Sequence, residues 1–416
     1  MPKISSTFAF ALTLLATLFQ LLAAPFEITK TNVNRYATAR DINLGSHHIT
    51  TMHNGKLYFA IDNRGANGQI WTTNGTAEST KAISSIPFHE SATITSLTSN
   101  HDGLIAATES SFPGGEKIWF VETETGKTTL IHDFANLNFS IGKLYSLNNL
   151  VYFTIATQTT NELWVTDTKK KTYRLHTLGD GTSASSELIP SGDGLIFETE
   201  DGTWYTRGSH ATTTRISNKF PAVQDNNNMY ANINRITYFF VSSEPSGSGS
   251  ILVSFNPKTL ALRSIYELNP STAISEINVI GSQMYFFTGS ASGTYNLWQS
   301  DGTRSGTSQL LETVSIGTSP YIMISDGSIY YGVQEVINDI SLYRYTESNQ
   351  KTLISRQAYV NRAVIHRGIT YVTTYYENDS KIYALSGDEL KEVTDTSKFG
   401  HRGPVELVSS DNNFFF

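Results

Sequence analysis

The sequence contains no cysteine among its 416 residues. It therefore has no disulfide, no thiolate nucleophile and no cysteine ligand for a metal ion, so a large packed core has to provide the stability. Charge is also scarce: charged residues make up 16% of the chain, and the formal net charge is −7. The only cationic block is Lys169–Lys171, which reads as a solvated turn. We therefore expect no nucleic-acid partner.

Long apolar runs are missing after Pro25. Before it, Lys3 precedes an apolar run from Phe8 to Leu22, and Ala23 and Ala24 follow. This order is typical of a secretory signal peptide, and a run of about 15 residues is short for a membrane span. We predict a signal peptide over residues 1–24, a mature single domain over 25–416, and a secreted or cell-surface location. An uncleaved anchor is the alternative.

Sustained helical periodicity is also missing beyond Pro25, so helices should be nearly absent. The chain has instead an aromatic residue at a regular interval. All five tryptophans fall on this interval and two tyrosines continue it: Trp71, Trp119, Trp164, Trp204, Trp298, Tyr343 and Tyr383. One position near Leu252 lacks the aromatic residue. A period of roughly 40–50 residues with one recurrent aromatic is typical of β-propeller blades.

Each period contains four short apolar segments separated by turn residues. Asn54-Gly55, Asp102-Gly103, Asp193-Gly194 and Asp326-Gly327 occupy the same position in their periods, and such dipeptides favour hairpins. The second segment recurs from Leu57–Phe59 to Phe414–Phe416.

The two ends of the chain complement each other. The chain stops on a second segment, and Phe26 aligns with Trp298 when the N-terminus is laid over that period. The ends together make one unit. We therefore predict an all-β, closed propeller of four-stranded blades, nine in number with one shared by the termini, and eight blades as the alternative.

The segment around Trp298 resembles a known repeat. Asn296–Thr307 reads NLWQSDGTRSGT and is similar to the Glu-Leu-Trp-x-x-Asp-Gly-Thr-x-x-Gly-Thr repeat of large exported and cell-surface proteins. Residues 162–168 and 69–76 are degenerate copies, and Asp41–Gly45 resembles the segment that follows in that family. The resemblance covers nearly the whole mature chain. It implies a β-propeller-like, non-catalytic surface or secreted protein, and the family has no well-defined activity.

Three features have a structural and a functional interpretation. The regular aromatic residues could stack on sugars, but packing between neighbouring blades is the interpretation we favour. Asp301-Gly302-Thr303 could belong to a calcium loop, yet turn chemistry explains it without a ligand. His47, His48 and His53 form the densest histidine group, but they lack the spacing of a helical zinc pair. We predict no metal site and no cofactor.

No motif marks a catalytic site. The sequence has neither a nucleophile elbow nor a phosphate-binding glycine loop, and no pair of carboxylates is singled out for glycosidase chemistry. Three glycosylation sequons begin at Asn74, Asn138 and Asn378, all in predicted turns or loops.

The predicted loops between second and third strands vary in length and are rich in acids. Variable loops on a rigid scaffold are where binding usually resides. We predict a candidate binding rim that favours cations or a basic partner. Ordinary solvated acids are the alternative. The rim consists of Asp62, Glu109, Glu198, Glu200, Asp201, Glu244, Asp339, Glu377 and Asp379, with Glu116 and Glu335 in the same loops and Arg64 as the only base.

The first functional hypothesis is a non-catalytic propeller that binds a protein or carbohydrate ligand. The alternatives are a hydrolase or lyase acting on extracellular polysaccharide, and a structural coat or matrix component.

Overall fold

The structure, a computed structural model, describes most of the chain after Ile49. The described residues are 49–61, 68–76, 78–86, 92–110, 116–134, 139–157, 159–169, 171–180, 188–221, 229–242, 251–268, 273–275, 277–289, 293–316, 320–325, 327–336, 339–345, 351–355, 360–376, 379–395, 408–409 and 414–415. These residues form antiparallel β-sheets and one 3-10 turn at His210–Thr212. The all-β prediction is confirmed. No helix in the described part of the chain is long and apolar enough to span a membrane.

The sheets follow one another along the chain. Sheet 1 contains β1 (Thr50–His53), β2 (Lys56–Ile61), β3 (Gln69–Thr73) and β4 (Lys81–Ser85), and sheet 2 contains β5 (Ala92–Ser99), β6 (Leu104–Ser110), β7 (Lys117–Val121) and β8 (Thr128–Asp133). Sheet 3 contains β9 (Phe139–Ile141), β10 (Tyr145–Leu147), β11 (Leu150–Thr157), β12 (Thr160–Thr166) and β13 (Thr172–Asp180). Sheet 4 contains β14 (Ile189–Ser191), β15 (Gly194–Thr199), β16 (Gly202–Thr206) and β17 (Thr214–Ser217).

The second half of the chain repeats this pattern. Sheet 5 contains β18 (Phe220–Pro221), β19 (Tyr230–Ile233), β20 (Ile236–Ser242), β21 (Ile251–Asn256) and β22 (Ala261–Glu267), and sheet 6 contains β23 (Ala273–Ile274), β24 (Asn278–Ile280), β25 (Gln283–Gly289), β26 (Thr294–Ser300) and β27 (Ser308–Val314). Sheet 7 contains β28 (Tyr321–Ser325), β29 (Ser328–Val336), β30 (Asp339–Tyr345) and β31 (Lys351–Ser355). Sheet 8 contains β32 (Val360–His366), β33 (Ile369–Tyr376), β34 (Asp379–Ser386) and β35 (Glu389–Asp395), and sheet 9 pairs β36 (Val408–Ser409) with β37 (Phe414–Phe415).

Sheets 1 to 8 share one meander of four main strands, called first to fourth strand below. The short β9, β18 and β23 add a segment beside the second strand of sheets 3, 5 and 6. In sheet 1, His53 pairs with Lys56, so Asn54-Gly55 forms the predicted two-residue turn, with φ of +48° and +74°. In sheet 4 the turn is one residue earlier than predicted, because Ser191 pairs with Gly194. Glycine is needed at Gly194 because a Cβ there would clash with the Thr206 carbonyl oxygen and the Tyr205 ring.

The recurrent aromatic residue occupies one register position in seven of the first eight sheets. It lies opposite the third residue of the second-strand motif, as Phe59 faces Trp71 and Phe286 faces Trp298. In sheet 5 this position is Val253, opposite Phe239 and next to Leu252, near which the interval placed it. A β-bulge precedes the position in each of the eight sheets, with one extra residue on the fourth strand. The extra residue is always aliphatic: Ile83, Ile131, Leu175, Ile216, Ile265, Leu310, Ile354 and Val393.

Among the described residues, seven apolar clusters each lie between two consecutive sheets from sheet 1 to sheet 8, and a smaller one lies within sheet 8. Within each of the seven, the bulge residue of one sheet and the aromatic position of the next sheet pack together, as Ile131 and Trp164 do between sheets 2 and 3. A bulge increases strand twist, and an aliphatic side chain at the bulge fills the space that the twist opens. The first strands of neighbouring sheets also contact each other, as β1 contacts β5.

Candidate binding face

The second and third strands of each sheet meet at the end that we call the loop face. Thr199 pairs with Gly202 there, and Tyr376 pairs with Asp379. Among the predicted rim residues, Glu109 and Glu198 lie near the ends of second strands, Glu200 and Asp201 form the turn after β15, and Asp339 and Asp379 begin β30 and β34. The other rim residues, Asp62, Glu244 and Glu377, lie outside the described residues.

Two of the rim acids connect neighbouring sheets. Glu109 Oε1 accepts a hydrogen bond from the Ile141 amide at 2.9 Å, which joins sheet 2 to sheet 3. Glu200 Oε1 accepts one from the Asp180 amide at 2.8 Å, which joins sheet 4 to sheet 3. Both amides lie at the loop end of sheet 3, since Ile141 pairs with Ile155 and Asp180 pairs with Thr160. The structure therefore brings the loop ends of sheets 2, 3 and 4 together on one face.

Asp201 belongs to a local network. Its Oδ1 accepts hydrogen bonds from Trp204 Nε1 at 2.8 Å and from the Thr199 hydroxyl. Arg215 Nη1 lies 3.5 Å from its Oδ2. The hydrogen bond from Thr199, then that from Trp204, lower the pKa of Asp201. The carboxylate is thus ionised and engaged within its own sheet.

The polar atom of the recurrent aromatic residue points to the loop face in six sheets. In each case this atom donates a hydrogen bond to a side chain near the end of the second strand, in the connecting turn or at the start of the third strand. The pairs are Trp71 to Gln69, Trp119 to Thr108, Trp164 to Glu162, Trp204 to Asp201, Trp298 to Thr288 and Tyr343 to Glu335. Three of the six acceptors are carboxylates. The acids near the loop face thus hold the aromatic side chains in place.

Sequence reasoning missed the bases that reach this face. Arg215 faces Asp201, and Arg174 Nη1 lies 2.8 Å from Glu162 Oε1. Both arginines lie on fourth strands, outside the loops in which Arg64 was the only base. Aligning the third strand with the fourth strand of the same period could have found them, because Arg215 lies opposite Trp204 and Arg174 lies opposite Trp164. The described part of the rim is therefore less acidic than its loops suggested.

The opposite end carries the turns between third and fourth strands, and the Asp301-Gly302-Thr303 segment forms one of them. Asp301 Oδ1 accepts hydrogen bonds from the Thr303 amide at 2.8 Å and its hydroxyl at 2.7 Å. The bond from the Thr303 hydroxyl is the main cause of the lowered pKa of Asp301. Ser300 Oγ accepts from the Gly302 amide and lies 2.7 Å from the Thr307 hydroxyl.

The same turn recurs in three other sheets. The hydroxyl two residues after the tryptophan accepts a hydrogen bond from the amide two residues further on. It also pairs with a second hydroxyl at or just before the start of the fourth strand. The hydroxyl pairs are Thr73 with Thr80, Thr166 with Thr172, and Thr206 with Thr213. The residues that resemble the Asp-Gly-Thr repeat therefore build a turn from their own hydrogen bonds.

The remaining predicted sites divide between described and undescribed residues. Asn74 is exposed in a third-to-fourth-strand turn, and the Thr76 hydroxyl donates to its Oδ1 at 3.2 Å. Asn138 and Asn378 lie outside the described residues, as do His47 and His48. His53 is buried and lies 3.2 Å from Asn54 Nδ2. No group of three or more His, Cys, Asp or Glu residues in the described ranges is arranged to hold a metal ion.

Comparison with known proteins gives weak similarities. No protein-family model and no curated protein sequence matches this chain. A structure from an analysis of two prolyl endopeptidases is similar at 8% identity and a TM-score of 0.44, over 79% of this chain and 54% of that one. An uncharacterised protein from Listeria monocytogenes is similar at 9% identity and a TM-score of 0.43, over 82% of this chain and 94% of that one.

A third similar structure is a putative 6-phosphogluconolactonase from Bacteroides fragilis. It has 13% identity and a TM-score of 0.36, over 69% of this chain and 92% of that one. The chain thus spans about half the length of the prolyl endopeptidase structure and most of the other two. At TM-scores this low, none of the three carries an argument about fold or activity.

Proposed function

We propose that this chain is an exported, non-catalytic β-propeller that binds a protein or carbohydrate ligand at its loop face. The observation that carries the proposal is that the acidic side chains near that face are hydrogen-bonded within the protein. Glu109, Glu200 and Asp201 accept hydrogen bonds from backbone amides or an indole within the protein. Carboxylates held in this way shape a rigid surface, whereas acid–base catalysis needs a pair open to a substrate.

Ring closure is part of the proposal. Sheet 9 has two described strands and lies against sheet 8, because β36 contacts β32. Val393, the bulge residue of sheet 8, is 38% exposed, whereas its seven counterparts are buried or half-buried against the next sheet. The sequence aligns Phe26 with Trp298, the residue type that covers a bulge residue elsewhere. Residues 26–41 would then supply the third and fourth strands of a ninth blade.

The signal peptide predicted from the Phe8–Leu22 run and the resemblance to the Glu-Leu-Trp-x-x-Asp-Gly-Thr repeat proteins support the same proposal. Secretion from a eukaryotic host should release a soluble protein that begins near Ala24–Phe26. N-terminal sequencing of the medium fraction checks this, and a sequence beginning at Met1 would contradict export by a cleaved signal. In such a host Asn74 should carry a glycan, which Asn74→Gln removes.

The binding experiment uses a glycan array and immobilised poly-L-lysine as probes. Glu198→Lys reverses one charge at the loop face. It leaves Glu200 and Asp201 in place, whose carboxylates accept hydrogen bonds from the Asp180 amide and the Trp204 indole. Glu124→Lys, in an exposed turn at the opposite end of sheet 2, is the control. We expect Glu198→Lys to weaken a salt-sensitive interaction and Glu124→Lys to leave it unchanged. Equal effects of the two variants would remove the loop face from consideration.

The enzyme alternative has its own test. Each glycan bound on the array is incubated with the protein, and new reducing ends or unsaturated products are measured. Turnover that survives repurification of the protein would contradict the non-catalytic proposal.

A further inference from the structure

Two glutamates lie directly beyond the last paired residues of β6 and β7, at the loop end of sheet 2. Glu109 is in β6, and Glu116 directly precedes β7. Thr108 pairs with Lys117, so Glu109 and Glu116 are the next pair outward across the two strands. Residues opposite each other on antiparallel strands project from the same face of a sheet. The two side chains therefore share one side of sheet 2, the side from which Glu109 reaches Ile141 of sheet 3.

The surroundings of this pair do not suit two bare negative charges. Glu116 is only 5% exposed, and its Oε2 has no hydrogen-bond partner. Glu109 uses Oε1 for the Ile141 amide. Burial raises the pKa of Glu109, and the negative charge of Glu116 adds to this effect. The hydrogen bond from the Ile141 amide acts in the opposite direction. Like charges directly opposite on a sheet are destabilising, and a buried carboxylate without a partner is costly.

Two described basic groups beside the pair have contacts elsewhere. Lys117 Nζ lies 3.0 Å from Asp133 Oδ2. His132 packs its ring against Phe134 and Trp164, and burial lowers the pKa of His132, so it is neutral at pH 7. A positive charge from outside the protein would satisfy both carboxylates at once.

We infer that Glu109 and Glu116 bind one divalent cation of the calcium type at the loop end of the interface between sheets 2 and 3. Ca²⁺ takes oxygen ligands in flexible geometry, and two carboxylates with water can complete its shell. A cation at this position would also stabilise the contact of Glu109 with sheet 3. The inference does not depend on the proposed ligand of the loop face, because the site serves the fold itself.

The test uses the full chain, stripped with EDTA and dialysed. Isothermal titration with CaCl₂ should give one site per chain, with Kd on the order of 10⁻⁴ to 10⁻³ M as in extracellular calcium modules. The melting temperature should rise with CaCl₂ and not with NaCl of equal ionic strength. Glu116→Gln should weaken binding by at least about tenfold, since affinity follows the charge of the ligands. Glu124→Gln, the same change in an exposed turn of sheet 2, should bind as the parent does.

Several results would overturn the inference. One is a parent protein with no saturable calcium heat and no calcium-dependent melting shift. Another is Glu116→Gln that binds as tightly as the parent. A third is Glu116→Gln that melts higher than the parent in EDTA while calcium affects neither, which would show that the pair holds a proton. If Glu116→Gln fails to fold, the parent titration still decides whether a site exists, and Glu109→Gln assigns it.

Discussion

At the scale of single residues, the recurrent aromatic combines packing with one polar contact. Trp119 packs against sheet 1, where only 7% of its surface is exposed, and its Nε1 donates a hydrogen bond to the Thr108 hydroxyl at 3.2 Å. Buried indoles need such a partner, because an unsatisfied donor costs about 1–3 kcal/mol. The absence of an aromatic in sheet 5 fits this account. Val253 fills the same packing position without a polar atom to satisfy.

A second residue-scale feature is the glycine of the Asp301 turn. Gly302 has φ of +85°, and a Cβ there would lie 2.5 Å from the Tyr238 ring of sheet 5. Gly302→Ala should therefore combine backbone strain with a clash and destabilise the protein by about 2–4 kcal/mol. Gly281→Ala is the control, because φ is +60° and no atom lies within 4 Å of the new Cβ. It should cost about 1 kcal/mol. Urea denaturation measures both, and equal costs would rule out the contact with Tyr238.

At the scale of the strand, the bulge and its aliphatic residue create the contact between sheets. Leu175 is the bulge residue of β13; it packs against sheet 4, and only 2% of its surface is exposed. Leu175→Ala should cost about 2–5 kcal/mol, as for other buried leucines. Leu353→Ala makes the same change on the fourth strand of sheet 7, where the side chain is 41% exposed. It should stay within about 0.5 kcal/mol of the parent. A Leu353 cost that matched that of Leu175 would contradict the role of the bulge.

The recurring turn makes a second prediction at this scale. Thr307 is buried, and its hydroxyl lies 2.7 Å from Ser300 Oγ and donates to the Thr303 carbonyl at 2.6 Å. Thr307→Val keeps the volume but leaves these atoms unsatisfied, so a loss of about 1–3 kcal/mol is expected. Thr80→Val and Thr213→Val remove the equivalent hydroxyls and should cost similar amounts. Thr129→Val on the exposed β8 is the control and should be nearly neutral. Unequal costs at the three equivalent sites would mean that the turn does not act as a repeated unit.

The sequence predicted these elements unevenly, for physical reasons. The four-stranded period and its aromatic position were visible because hairpin dipeptides and tryptophans are rare and regular. The bulges were not predicted, because their positions depend on the register between the third and fourth strands, which the sequence alone did not give. The partners of the rim acids were also missed. Arg215 and the Asp180 amide approach Asp201 and Glu200 from a fourth strand and a neighbouring sheet, and loop composition carries no information on either.

At the scale of the whole molecule, each interface repeats one contact between a bulge residue and the aromatic position of the next sheet. Seven interfaces between sheets 1 and 8 follow this rule. Trp71 of sheet 1 and Val393 of sheet 8 are the two members whose counterparts would come from the shared blade. Trp71 is already buried, whereas Val393 is 38% exposed, so the proposed closure would mainly cover Val393 and would also remove exposed sheet edges that favour aggregation.

Deleting Asp411–Phe416 tests this closure. The deletion removes β37, which pairs Phe415 with Val408. If residues 26–41 complete that sheet, the loss of the phenylalanines should cost about 1.5–3 kcal/mol for each buried side chain, together with an exposed edge. We expect a lower melting temperature with aggregation or a broadened transition. Replacing Asp411, Asn412 and Asn413 by Gly, Ser and Gly keeps β37 and should melt as the parent does. A free tail contributes little packing, so a truncated protein as soluble and stable as the parent would show that the termini do not share a blade.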